Sequence, residues 1–168
     1  VSGRPGELLF TDADVDRNSN QILHGEGKWI SGEPFIVKAQ GKDVSLGSIS
    51  DLIDKSRISN GNTNYSFTMV YKRNSGTING EFEIRDGYFL DIPFDKAFGK
   101  LGGGSDGFHV TDFTIGREGI FTGKGSASSG YLWRDITEEP GLKMELAFQG
   151  DLLRVLPYLT GAVERASG

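Results

Sequence analysis

From Thr77 to Ile84 the chain alternates without a break. Ile78, Gly80, Phe82 and Ile84 fall on one side, and Thr77, Asn79, Glu81 and Glu83 on the other. Successive side chains of a strand point to opposite faces, so a period of two specifies an extended strand with one dry and one wet side. Tyr65, Phe67, Met69 and Tyr71 repeat the pattern, as do Leu142, Met144, Leu146 and Phe148 against Lys143, Glu145 and Ala147. Strands buried on both faces would read as unbroken apolar runs, so the alternation specifies antiparallel pairing.

The 168 residues fit one domain with its own core. The 25 glycines and 5 prolines suit many strands joined by tight turns, and 11 phenylalanines lift the chain out of the disordered range. The pattern predicts strands near 7–13, 21–31, 34–40, 64–73, 76–85, 87–92, 108–115, 119–127, 130–135 and 141–149. Asp86-Gly87 within "RDGY" reads as a hairpin turn, and "RNSGT" (73–77) and "GREG" (116–119) read as others.

Three short helices are expected between the strands. "SISDLIDKSRI" carries a Ser48/Asp51 capping pair before Leu52 and Ile53. In 93–101, Pro93 suits a first turn, and Phe94, Ala97, Phe98 and Leu101 recur at helical spacing before Gly102. In 151–159, Asp151 caps a run of Leu152, Val155, Leu156 and Leu159. "GKLGGGSDG" (99–107) is the most flexible stretch, but strands resume on both sides of it, so the chain reads as one domain over residues 1–168. The expected fold is mainly β: a curved antiparallel sheet, or an open sandwich or groove, with two or three short helices.

Several functions are excluded or find no motif. The net charge is -5 and no Lys/Arg run follows a phosphate backbone, which argues against nucleic acid. No apolar stretch reaches the roughly 18 residues of a membrane span. The opening "VSGRPGELLF" lacks the basic start and apolar run of a signal peptide, so the expectation is either a soluble protein inside the cell or a fragment of a longer one, and the abrupt beginning favours the fragment. With no cysteine there is neither a disulfide nor a thiolate nucleophile.

The stretch "DADVDRNSNQIL" offers Asp12, Asp14, Asp16, Asn18 and Asn20 on alternate positions. An EF-hand also needs glycine at loop position 6 and a carboxylate at position 12. Arg17 and Leu23, or Ser19 and Gly25, stand there instead, so the stretch reads as a solvated hairpin turning at "RNSN". His24 and His109 have no second imidazole at ligand spacing. His109 lies near Asp112, but no G-x-S-x-G elbow accompanies them. Glu138 and Glu139 are neighbours, which a strand would send to opposite faces. Neither glycine-rich run ends in the Gly-Lys-Ser/Thr of a phosphate loop. No catalytic residue, metal or cofactor is assigned.

The order of elements is more informative. Residues 44–150, with "DLID", then "SGTINGEFEIRDGYFLDIPF", then "FHVTDFTIGREGIFTGKGSASSG", resemble the C-terminal region of AsmA-like envelope proteins, relatives of TamB and other bridge-like lipid-transfer proteins. The resemblance implies a periplasmic location, an inner-membrane anchor outside this fragment, and a curved sheet whose apolar side takes lipid acyl chains. The expected partner is a phospholipid or other lipid, lined by Phe67, Met69, Tyr71, Phe82, Tyr88, Leu90, Met144, Leu146 and Phe148. The alternative is a β-sandwich adhesion or assembly module, binding protein or glycan through Trp29, Tyr131 and Trp133.

Overall fold

The computed structural model describes residues 2–17, 20–48, 58–72, 75–89, 92–104, 107–129, 142–151 and 153–154. They form one antiparallel sheet. Its strands are β1 (Glu7–Arg17), β2 (Asn20–Ile30), β3 (Phe35–Ser45), β4 (Ile58–Ser59), β5 (Asn62–Lys72), β6 (Ser75–Phe89), β7 (Ile92–Gly104), β8 (Gly107–Arg117), β9 (Phe121–Ser129) and β10 (Leu142–Gly150). The order across the sheet is β1-β2-β3-β5-β6-β7-β8-β9-β10, a meander, and the two-residue β4 pairs with β6 beyond the end of β5. β1 and β10 stand at its two ends, so the sheet is open, and the described strands form one layer rather than the two of a sandwich. A short 3-10 turn, Leu46–Ser48, follows β3.

The expected helix over 93–101 is a strand, β7. The reason lies in a recurrent device of this sheet. Five strands carry two adjacent exposed polar residues: Thr11-Asp12, Lys42-Asp43, Arg85-Asp86, Asp95-Lys96 and Thr111-Asp112. Each pair advances the alternation by one residue, so the apolar side chains flanking it are three apart yet share a face. In β7 these are Phe94 and Ala97, both buried. This spacing imitates one helical turn. Phe98, the supposed next helical position, is half-buried and pairs with Glu83 on the opposite face.

In β1, β3 and β8 the step is a β-bulge, marked by register shifts at Phe10/Ala13, Gly41/Val44 and Val110/Phe113. Asp12, Asp43, Asp86 and Asp112 take positive φ of 64°, 55°, 55° and 52°. Aspartate tolerates this left-handed region better than most residues, because its short side chain bonds locally. At the β3 bulge, the Asp43 amide donates to Asn64 Oδ1 at 2.7 Å.

"RDGY" is therefore no hairpin. Arg85 pairs with Lys96 and Gly87 with Phe94 in unbroken register, and β6 runs on to Phe89. Likewise, residues 99–104 of the supposed flexible stretch belong to β7, with Gly99 and Gly102 buried. The hairpins at 73–77 and 116–119 agree with the pairing of Lys72 with Ser75 and of Arg117 with Phe121. The strand expected at 130–135 and the helix from "DLID" lie outside the described residues. Of 151–159, Leu153 and Arg154 are helical, and the Leu153 amide donates to Asp151 Oδ1 at 3.1 Å; the remainder lies outside the described residues.

The core is a cluster of Leu46, Ile84, Phe89, Ile92, Phe94, Ala97, Phe113, Ile115 and Phe121, centred on β6 to β9. Thr63 is buried beside it and donates to the Glu83 carbonyl at 3.1 Å. Gly61 occupies the kink between β4 and β5 with φ of 89°, and a Cβ there would strike the Arg85 carbonyl oxygen. Gly119 also has positive φ, 66°, but nothing surrounds it. Gly119→Ala is expected to lose roughly 1–2 kcal/mol to left-handed strain alone. Gly61→Ala is expected to lose a further ~1–3 kcal/mol from the steric clash. Urea unfolding of both variants checks this: equal losses would contradict the close approach at Gly61.

Candidate apolar-ligand face

Paired residues of an antiparallel sheet share a face, so the register sorts every side chain. Phe10 pairs with Gly27, Gly27 with Val37, Val37 with Met69, Met69 with Ile78, and Ile78 with Gly103. One apolar row thus crosses six strands. Beside it Leu8 pairs with Trp29, and Phe35 with Tyr71. On the other side Ala39 pairs with Phe67 and Phe67 with Gly80. Small residues (Gly27, Ala39, Gly80 and Gly103) interrupt these rows of large ones.

The small residues are slots. Phe10 pairs with Gly27, Tyr65 with Gly41, Phe82 with Gly99, Phe94 with Gly87 and Phe148 with Gly123, and in each pair the ring lies over the glycine. A Cβ would meet the ring at 2.5 Å at Gly41 and Gly87 and at 2.8 Å at Gly99 and Gly123. The ring covers backbone that glycine leaves bare, which stabilises the pairing and fixes its register. Tyr65 reaches further, its hydroxyl donating to the Ile22 carbonyl, and burial raises its phenol above the ordinary range.

This face is unevenly sealed. Phe94 and Ile115 are fully buried, whereas Leu8, Trp29 and Tyr71 are 42%, 40% and 46% exposed. Between them Phe10, Phe35, Val37, Phe67 and Met69 are half-buried. Of the lining residues expected from sequence, Phe67, Met69 and Tyr71 come together at this open end. Phe82 and Leu146 are half-buried against the core cluster, and Phe82 lies 6.4 Å from the Phe113 ring. Phe148 is exposed on β10, its ring 5.9 Å from that of Phe121. The Met144 backbone pairs with Ala127; its side chain and all of Leu90 lie outside the described residues. Tyr88 does not join them. It stands between buried Gly87 and Phe89, beyond the step at Arg85-Asp86, and so projects from the opposite face.

The contribution of β1 to β3 was missed by sequence reasoning. Its signal was present in Phe35, Val37 and Ala39 at alternate positions, and in Leu8 and Phe10. Of the residues named for the alternative, Trp29 is on this open end, and Tyr131 and Trp133 lie outside the described residues.

The opposite face carries the ion pairs, with Leu9, Ile36 and Tyr88 exposed among them. Glu83 accepts from Arg85 at 2.7 Å and from Lys96 at 2.5 Å, Lys100 meets Asp112 at 2.7 Å, and Lys38 meets Glu26 at 3.0 Å. A hollow of about 610 Å³ lies over this face, walled by His24, Glu26, Lys38, Gln40, Thr68 and Glu81 among others. Ala39 and Phe67 border it too, so its walls are mixed in polarity. The His109 ring lies over Gly102, its partner on β7. His24 Nδ1 lies 2.8 Å from Asp14 Oδ1. That hydrogen bond raises the His24 pKa and lowers that of Asp14.

Among the described residues no helix is long and apolar enough to cross a membrane. Comparison with protein families, with curated proteins and with solved structures finds no match to this chain.

The bonds from Lys96 and Arg85 hold the Glu83 carboxyl below its ordinary value. A depressed acid contributes stability above its unfolded value and loses it as pH falls through the folded one. Glu83 is therefore expected to titrate below the usual glutamate range, and Lys96→Ala to move its midpoint upward. Carboxyl-detected NMR titration reads both; a midpoint at the ordinary value, unmoved by the substitution, would contradict the assignment.

Proposed function

We propose that this chain is a non-enzymatic lipid-binding module that shelters the acyl chains of a phospholipid or other lipid on its apolar face. The observation that carries the reading is the incompletely sealed aromatic surface from β1 to β5, where Leu8, Trp29 and Tyr71 are exposed beside half-buried Phe67 and Met69. A monomeric domain gains by covering such a surface. An acyl chain laid along the rows gains roughly 0.8 kcal/mol for each methylene withdrawn from water. In this reading the sheet bends into a groove around the cargo, and its mechanism is shielding alone, with no covalent step. The resemblance to AsmA-like envelope proteins supplies the setting: a bacterial periplasm, with the inner-membrane anchor in regions outside this chain.

A second reading draws on Trp29. A half-exposed indole beside Leu8 is also an anchor for a protein or glycan partner, as an adhesion or assembly module would use it.

Organic extraction of the protein purified from bacteria, followed by mass spectrometry, separates the two. Stoichiometric phospholipid is the expected outcome. Met69→Glu places a charge on the apolar rows and is expected to lower bound lipid about tenfold or more. Thr68→Glu, on the charged face of the same strand, is expected to leave it unchanged. Circular dichroism controls for folding. A clean extract, with no binding of added fluorescent fatty acid, would overturn the lipid reading and leave the Trp29 surface to a protein or glycan.

A further inference from the structure

We propose that Asp12, Asp14 and His24 form a surface site for a divalent transition-metal ion of the zinc class, on the charged side of the β1–β2 hairpin. The site does not depend on the lipid reading, since it lies on the opposite face of the sheet.

The chain offers no metal loop in sequence, because the donors come from two strands. Asp14 and His24 are paired residues of β1 and β2 and so share a face. Asp12 is two residues from Asp14 along β1. The bulge at Thr11-Asp12, with Asp12 at φ of 64°, brings its carboxylate beside the other two. One donor atom from each residue lies within 4.8 Å of the others. His24 Nδ1 stands 2.8 Å from Asp14 Oδ1 and 3.8 Å from Asp12 Oδ1.

Ligand atoms sharing a tetrahedral ion at bond lengths of about 2.0–2.2 Å lie roughly 3.4 Å apart. The cluster brackets that spacing, and side-chain rotation alone would meet it. The fit to a metal rests on chemistry as well as distance. An imidazole nitrogen among the donors discriminates against calcium and magnesium, which take oxygen, and in favour of zinc, cobalt or nickel. Two carboxylates balance the charge of a divalent ion. Three protein ligands leave the fourth position to water.

His24 Nδ1 now shares a proton with Asp14, so the ion replaces that proton in the same contact. Gln21 also donates to Asp14 Oδ1 and would turn away or bond the second carboxylate oxygen. The consequence is structural. An ion bridging Asp12 and Asp14 to His24 clamps end strand β1 to β2 across its bulge, and binding to the folded state alone raises the unfolding midpoint.

The test uses the whole chain, stripped with chelator, titrated separately with ZnCl2 and CaCl2 by calorimetry. Thermal unfolding and the His24 ring resonances are followed alongside, and CoCl2 serves as a spectroscopic probe. One equivalent of Zn2+ is expected to bind, to raise the unfolding midpoint and to shift the His24 ring signals, whereas Ca2+ does none of these. Bound Co2+ is expected to show the intense visible bands of four-coordination. His24→Ala and Asp14→Asn are each expected to weaken Zn2+ binding at least tenfold, while His109→Ala leaves it unchanged. All three positions are on the surface, so circular dichroism is expected to show intact variants. No zinc binding, zinc binding that survives Asp14→Asn, or calcium binding as tight as zinc would each overturn the site.

Discussion

A ring laid on a glycine of the next strand is the contact on which the apolar face depends. The described strands form a single layer, so their greasy side has no second sheet to pack against. Glycine in a strand interior costs roughly 0.5–1 kcal/mol relative to alanine. A favourable cross-strand pair returns about 0.2–1 kcal/mol. Locally the exchange is near balance, and its larger effect is on register. A slip by one residue would set Phe82 or Phe94 against a neighbour that has a Cβ, and would turn every apolar side chain of that strand toward water. Such pairs occur between β1 and β2, β3 and β5, β6 and β7, and β9 and β10. The high glycine content therefore serves the strands as much as the turns.

How far the fold was legible follows from the same alternation. Where it ran unbroken, as in Tyr65–Tyr71 and Thr77–Ile84, the strands were found and paired as expected. It misled where two polar residues shifted its phase. Asp95-Lys96 turned a strand into an apparent helix, because Phe94, Ala97 and Leu101 keep the spacing of a helical face while the backbone stays extended. Asp86-Gly87 carried the chemistry of a hairpin turn, but left-handed aspartate serves equally in a strand that steps its phase. Only the partner strand decides between them. Phe94 over Gly87 and Lys96 beside Arg85 hold β6 extended through that point. These are long-range contacts, and no local window contains them.

The candidate site was legible in part for the same reason. Phe67, Met69 and Tyr71 stand on an uninterrupted stretch and gather where alternation put them. Tyr88 was assigned to the wrong face because the step at Arg85-Asp86 intervenes between it and Phe82. Leu8 and Phe10 went unnoticed, and Trp29 was read only as a platform for protein or glycan: β1 is stepped at Thr11-Asp12, and the strand that bears Trp29 has glycine at Gly25 and Gly27, where an apolar repeat would be visible. His24 looked solitary in sequence because its nearest partner is Asp14, ten residues away and across a hairpin.

The two faces obey different energetics, and this governs what each can do. The ion pairs of Lys100 and Lys38 are largely exposed, and half-buried Glu83 meets cations that reach into solvent, so each pair contributes little to stability. Their effect is to keep one side of the sheet wet and to make inversion of a strand costly. The apolar side draws its stability from contact area, which is complete around Phe94 and Ile115 and incomplete around Trp29 and Tyr71. The sealed end can therefore hold the sheet together while the unsealed end changes its covering. A ligand on that end would touch β1 and β2 from below, and an ion at Asp12, Asp14 and His24 would touch the same two strands from above. The hairpin backbone is the connection between them, and the bulge at Thr11-Asp12 is where both would act on its shape.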